Sequence, residues 1–362
     1  MNMKKGIAKT TNPEVLSVLR ESSGYTIDEI AKKLKTTNEK IKETEKGNAS
    51  FTLTQIKNLA DIYHRPLVAF FTNTIPVMPE IKDYRINRDK RLTPQVYIAE
   101  RRAYYLSNKL AELTDKRSHI PSFTETLKAE ELAQEFRRYL RVELLKSKKP
   151  DELLAQYKRV LEENFLMSII ELPLKADDVR GFNILSDISV IVLNEGDAPS
   201  IKLFSLFHEV CHLIKRTSGI CSIEVEQRYE DIEPFCNQFA AEFLVPSEDL
   251  KKEYEKYSQL DENGISELSK IFGVSKQVLM LRLLLLGYIN NERYNQFKKT
   301  GVKKQTEKMF GRRNWDKVFQ NRVGDLAIKE TNSAYRSGKI SYSEVFDILN
   351  MKAKYIEKFV ER

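Results

Sequence analysis

Cysteine and histidine are both scarce: the 362 residues hold three of the first and four of the second. The cysteines, Cys211, Cys221 and Cys236, are an odd set. That excludes a fully paired disulfide framework and leads to the expectation of a reduced, cytoplasmic protein. Long apolar runs are also missing. The longest, around Val278–Leu286, is interrupted by Arg282, and a membrane helix needs about 18 or more apolar residues in a row. Met1-Asn2-Met3-Lys4-Lys5 has no apolar stretch behind it, so no secretory signal is expected. Neither internal repeats nor low-complexity segments are present, which leaves ordinary globular domains.

What is present is a chain of 41% apolar and 31% charged residues, a globular rather than a disordered composition. Its length suggests two or three domains, each able to bury a core. The net charge of +8 is unevenly spread. Residues 1–75, 76–150 and 291–362 carry +4, +6 and +8, whereas residues 151–290 carry −10. An acidic module between basic ones is expected, and the basic flanks are candidate nucleic-acid contacts as well as ordinary solvated helix faces.

The first 75 residues read as short helices. Asn12-Pro13-Glu14 is a start signal, Thr26-Ile27-Asp28-Glu29 a capping box, and Thr37 or Asn38 a further cap. The pair 26–34 and 37–46, with a short turn between, has the helix-turn-helix arrangement. Thr26–Ala31, Glu45-Lys46-Gly47, Leu59-Ala60 and the apolar Leu67–Phe71 resemble the XRE family of helix-turn-helix domains. Thr26 stands where that family often has glutamine, and Glu39 and Glu43 accompany Lys40 and Lys42 on the helix that would read DNA. A small helical bundle for protein contacts is the alternative. Ile75–Pro79 reads as a linker, because two prolines three apart forbid a continuous helix. Helices are expected over Pro94–Leu113, Glu130–Glu143 and Asp151–Asn164, then strands over Phe165–Leu172 and Ile188–Leu193.

The chemistry follows these strands. His208-Glu209-Val210-Cys211-His212 lies in Ile201–Ile214, which has the apolar spacing of a helix with one buried side. Histidines four apart share a helix face and can reach one ion at about 2.0–2.1 Å. Glu209 is turned away from them and suits a general base acting on water at the metal. A core helix whose imidazoles bond backbone carbonyls is the bland alternative. It would need separate partners for three buried polar groups. A catalytic metal requires a third protein ligand. With no histidine downstream, the candidates are Glu224, Glu226, Glu230, Asp231, Glu233 and Glu242. Glu233 is the best placed by pattern: Pro234 in the first turn of a helix puts it at the entry, with Phe235, Phe239 and Phe243 packing below. Asn237, one turn on, is then suited to orient a ligand.

His-Glu-x-x-His followed by the pattern Glu233 through Pro246, with Ile265–Ile289 behind it, resembles the ImmA/IrrE family of zinc metallopeptidases. The resemblance implies zinc held by His208, His212 and Glu233, with Glu209 as catalytic acid/base. It also implies an accompanying XRE domain and, as substrate, a specific protein such as a transcriptional repressor. Cys211 departs from the Gly or Ser usual before the second histidine, and Cys236 from the usual Ala; both read as small buried residues. The expected architecture is mainly α with a small β-sheet (α+β). It comprises an XRE-like helix-turn-helix domain over 1–75, a linker and basic helical segment over 76–150, a zincin-like metallopeptidase domain over 151–290 and a basic helical region over 291–362. Expected partners are the protein substrate, DNA through the N-terminal domain and a second copy of the chain, with no membrane. Two rivals to the enzyme remain: a DNA-binding regulator whose metal domain only senses, and an antitoxin-like scaffold. A donor to the oxyanion is also required; Arg228 and Tyr229 lie near enough in sequence to be considered, and the sequence assigns neither.

Overall fold

The computed structural model describes residues 11–73, 92–142, 149–176, 179–217, 229–258, 260–301 and 314–350. These pack as two compact units, one within 1–102 together with 174–176, the other within 103–173 and 177–362. The linker expected at Ile75–Pro79 lies outside the described residues.

The first unit begins with α1 (Pro13–Glu21), α2 (Ile27–Leu34), α3 (Asn38–Glu45) and α4 (Leu53–Tyr63), followed by a 3-10 turn at Leu67–Phe70. Local sequence sets each start. The Asn12 side chain accepts from the Glu14 amide, and Thr26 and Glu29 close both bonds of the capping box. The turn between α2 and α3 is three residues long and opens on Lys35 at φ 53°. Val15, Leu19, Ile30, Ile41, Ile56, Leu59 and Phe70 fill the core. Arg20 clasps Glu45 through Nε and Nη2 at 2.7 and 2.9 Å, tying α1 to α3. A two-pronged guanidinium–carboxylate contact of this kind fixes orientation as well as adding attraction.

The second unit is built on three strands. The chain enters through the later part of α5 (Pro94–Thr114), from residue 103 on, then α6 (Ala129–Leu140) and α7 (Pro150–Phe165), and runs through β1 (Ser168–Leu172), β2 (Gly181–Ile184) and β3 (Val190–Asn194). The sheet order is β1-β3-β2, with β1 parallel and β2 antiparallel to β3. All five residues of the central strand are buried, so Val-Ile-Val-Leu-Asn is a continuous rather than alternating run. Two expectations change here. Phe165 closes α7 instead of opening a strand, and β2 emerges between the two expected strands, where none was expected. Gly-Phe-Asn-Ile is short and lacks alternation, so its pairing with β3 supplies what local propensity does not.

Helix α8 (Pro199–Ile214) crosses the sheet, packing on β2 and β3, and α9 (Tyr229–Leu244) lies against it. Beyond come α10 (Ser247–Tyr254), α11 (Glu262–Ile271), α12 (Lys276–Leu285), α13 (Asn291–Gly301), α14 (Trp315–Val323), α15 (Asp325–Arg336) and α16 (Tyr342–Leu349). The described chain is therefore mainly helical with one small mixed sheet, and none of its helices is long and apolar enough to cross a membrane. Phe136 of α6 packs within 6 Å of Phe239 and Phe243 of α9, and Phe207 of α8 stacks on Phe243 at 3.8 Å.

Buried charges pin these layers. Glu171 on β1 accepts from Lys158 of α7 at 3.1 Å and from Lys202 of α8 at 2.6 Å. Burial pushes its pKa up, but the two ammonium groups outweigh that and hold it below the usual carboxylate range. Arg282 of α12 pairs with Glu242 of α9 with both side chains fully buried. Glu162 of α7 is different. Its Oε1 accepts from the Ile169 amide at 2.9 Å, and burial, only partly offset by Lys158, pushes its pKa up to about 8.

Two outcomes follow. A carboxyl raised in the folded state contributes stability that is full below its unfolded pKa and lost as pH rises through about 8. Glu162→Gln keeps the acceptor and removes the ionisation, so its thermal midpoint should match wild type at pH 4 and exceed it by a growing margin as pH rises to about 8. Glu242→Ala leaves Arg282 charged in the interior and should cost about 3–5 kcal/mol in urea denaturation.

Candidate metal centre

The site starts from one helix. Pro199 at the first helical position, preceded by Ala198 in extended conformation, starts α8, consistent with proline's fixed φ and missing donor. The helix is buried almost all round from Lys202 to Ile214. Inside this apolar setting it carries His208, Glu209 and His212, exposed by only 8, 0 and 4%. A spacing of four stacks the imidazoles on one face, their rings 4.8 Å apart.

The third member comes from α9. Glu233 Oε2 lies 3.1 Å from His208 Nε2, Glu233 Oε1 lies 3.1 Å from His212 Nε2, and the two Nε2 atoms are 3.1 Å apart. Three ligand atoms around a tetrahedral zinc at 2.0–2.1 Å would sit about 3.3 Å from one another; here each imidazole faces a different oxygen of Glu233, and one ligand atom from each of the three residues lies within 4.8 Å of the others, close enough to converge on one ion. The protonation logic agrees. His208 Nδ1 meets Asn237 Oδ1 at 3.0 Å, and since that oxygen only accepts, Nδ1 carries the proton and Nε2 turns its lone pair inward. His212 Nδ1 lies 2.9 Å from Thr217 Oγ1. His208, His212 and Glu233 are the group able to hold a metal ion among the described residues.

Glu209 points elsewhere, as its position one residue along the helix requires. Its Oε2 accepts from Asn183 Nδ2 of β2 at 2.7 Å. Close to His212, Cys211 and Cys236 are free and fully buried. Burial, reinforced by Cys211, holds the Cys236 thiol well above its ordinary pKa, with His212 acting the other way, so it is a protonated core group. Burial also lowers His212, but hydrogen bonds to the Cys236 thiol and the Glu233 carboxylate outweigh it and lift the imidazole to about 9.

The other candidate ligands fall away from the triangle or outside the description. Glu242 is committed to Arg282, Gln134 and Ser247. Glu224, Glu226 and Arg228 lie outside the described residues, as do Cys221 and the side chains of Tyr229, Glu230 and Asp231. One expectation is corrected: α9 starts at Tyr229, so Pro234 stands inside the helix rather than in its first turn. Proline's φ is helical, and the bond it forfeits, to the Glu230 carbonyl, lies close to the helix start. Thr217 and Asn183 escaped the sequence reading. Thr217 follows the end of α8 and Asn183 sits on the unexpected strand, so spacing gave neither a signal.

The expected metal behaviour is specific. Zinc should bind wild type stoichiometrically by atomic absorption and be lost from His212→Ala and Glu233→Ala, whereas Asn237→Ala should weaken binding about 10–100-fold. The ion must displace the His212 proton, which the metal-free fold holds up to about pH 9. Zinc affinity measured against a chromophoric chelator should therefore climb from pH 6.5 to 9. Over the same range the metal-free protein should lose the stability His212 contributes, which is full below pH 6.5.

No curated protein matches the chain. Residues 162–284, running from the end of α7 through the sheet and the His–His–Glu triangle into α12, match the family model described as the IrrE N-terminal-like domain, Peptidase_M78; this segment is thus similar to metallopeptidases of the ImmA/IrrE kind.

Proposed function

We propose that this chain is a regulatory zinc-dependent endopeptidase that cleaves one specific protein, a transcriptional repressor. The observation that carries the proposal is the triangle of His208, His212 and Glu233 with the fully buried Glu209 on the same helix, inside the segment that matches a peptidase family model.

His208, His212 and Glu233 would hold the ion, leaving a coordination position for water or substrate. A zinc ion there supplies a Lewis acid that polarises the scissile carbonyl and brings the pKa of water to about 7. The remaining work belongs to the chain. Asn237 and Thr217 hold the two imidazoles by their Nδ1 edges, so that both Nε2 atoms converge. Glu209 takes the proton from the attacking water and returns it to the departing amine. Its burial excludes bulk water, which would otherwise compete for that carboxylate.

Substrate choice is assigned to docking. The helix pair α2 and α3 exposes Asn38, Glu39, Lys42 and Lys46 along its second member, a face of both signs that suits a protein surface as readily as DNA. The proposal therefore gives residues 1–75 the task of bringing the enzyme to its repressor, on DNA or off it, as a monomer or a homodimer, in the cytoplasm.

The test is incubation of the zinc-loaded protein with repressors encoded beside it, read by gel and mass spectrometry. Wild type should cut one of them at one bond. Glu209→Gln should retain zinc and fold while losing at least about 100-fold in rate. A cell response left intact by Glu209→Gln would instead establish the sensing role.

A further inference from the structure

We infer that Asn183 is the positioning residue for Glu209, its side-chain amide fixing the carboxylate across the edge strand of the sheet. This rests on reading Glu209 as the proton acceptor, and three observations converge on it.

The first is the contact. Asn183 Nδ2 donates to Glu209 Oε2 at 2.7 Å, bridging β2 and α8 over 26 residues of sequence. A neutral donor on an ionised acceptor at this distance is a strong, directional bond.

The second is the strand beneath. Gly181 and Asn183 are two apart on β2 and share a face. A Cβ at Gly181 would lie 3.6 Å from Glu209 Oε1 and only 2.7 Å from the Val192 carbonyl. The carboxylate therefore spans the strand, with one oxygen over Gly181 and the other on Asn183, and any side chain at 181 would crowd the β3 backbone. Because β2 is the edge of the sheet, paired only through β3, Glu209 is presented at the sheet margin rather than in its centre.

The third is the state of the amide itself. It has one workable orientation, because the reversed one would set Oδ1 against a carboxylate oxygen at hydrogen-bond distance. In that orientation Oδ1 is buried and has no hydrogen-bond partner among the described residues. An amide kept for stability alone would satisfy both ends, and an apolar side chain would fill the space at lower cost. What Asn183 provides is the fixed plane of the Glu209 carboxylate, and a proton acceptor must stay within a few tenths of an ångström of its working geometry.

Acetohydroxamic acid, which chelates zinc and hydrogen-bonds to a neighbouring carboxylate, is a probe that needs no knowledge of the substrate. On zinc-loaded protein, Asn183→Ala should retain zinc stoichiometry and a cooperative unfolding transition while weakening the hydroxamate about 10-fold. Asn183→Asp, the same shape without the donor, should weaken it at least as much. In a Glu209→Ala background neither substitution should have a further effect. Wild-type affinity in Asn183→Asp, or equal losses with and without Glu209, overturns the inference and leaves Asn183 a packing residue. Absence of zinc from the wild type would sink the metallopeptidase reading instead, and the contact is then read on the metal-free protein. There the effects of Asn183→Ala and Glu209→Ala on the urea midpoint should be non-additive, and additivity overturns the inference.

Discussion

Two imidazole nitrogens 3.1 Å apart, each 3.1 Å from its own oxygen of one carboxylate, meet at the junction of α8 and α9. Lone pairs so close repel unless a proton or a metal ion lies among them. In the metal-free fold the proton on His212 meets part of that need: hydrogen bonds to the Cys236 thiol and the Glu233 carboxylate outweigh its burial and keep that imidazole protonated up to about pH 9. A metal ion at this point would satisfy all three side chains at once.

Holding the ligands at that distance requires rigid elements on every side. Helix α8 lies on the sheet, with its start anchored through Lys202 to Glu171 of β1 and its middle through Glu209 to Asn183 of β2. Helix α9 is pressed against it by stacked aromatic rings and fixed from behind by the Glu242–Arg282 pair. The two buried ion pairs are weak contributors to net stability as such, since desolvation opposes their attraction. Their directionality gives the helices one register, and the ligand triangle tolerates little slip.

Much of this is written in the chain. Period-four histidines on an apolar helix place two ligands and exclude the intervening glutamate, because a 100° rotation per residue leaves no other choice. The caps at Asn12 and Thr26 are local bonds between neighbours, so helix starts in the first unit were legible to within a residue or two. Glu233 was preferred among six acidic residues by pattern rather than by physics, and it lies in the triangle. Strand β2 was not legible. Gly-Phe-Asn-Ile has no alternation, and its conformation comes from hydrogen bonds to Val190–Leu193, six residues or more away.

The sequence by itself determined the metal-ligand type, the helix that bears it and the mainly helical class, all consequences of short-range periodicity. Only tertiary structure decided the rest. It set Glu233 between two imidazoles, turned Asn237 and Thr217 onto their outer nitrogens, drew Glu242 away to Arg282 and brought Asn183 to Glu209. Those contacts join residues 5 to 40 apart on different elements. The packing of α8 between the sheet and α9 chooses them, and no local propensity encodes that packing.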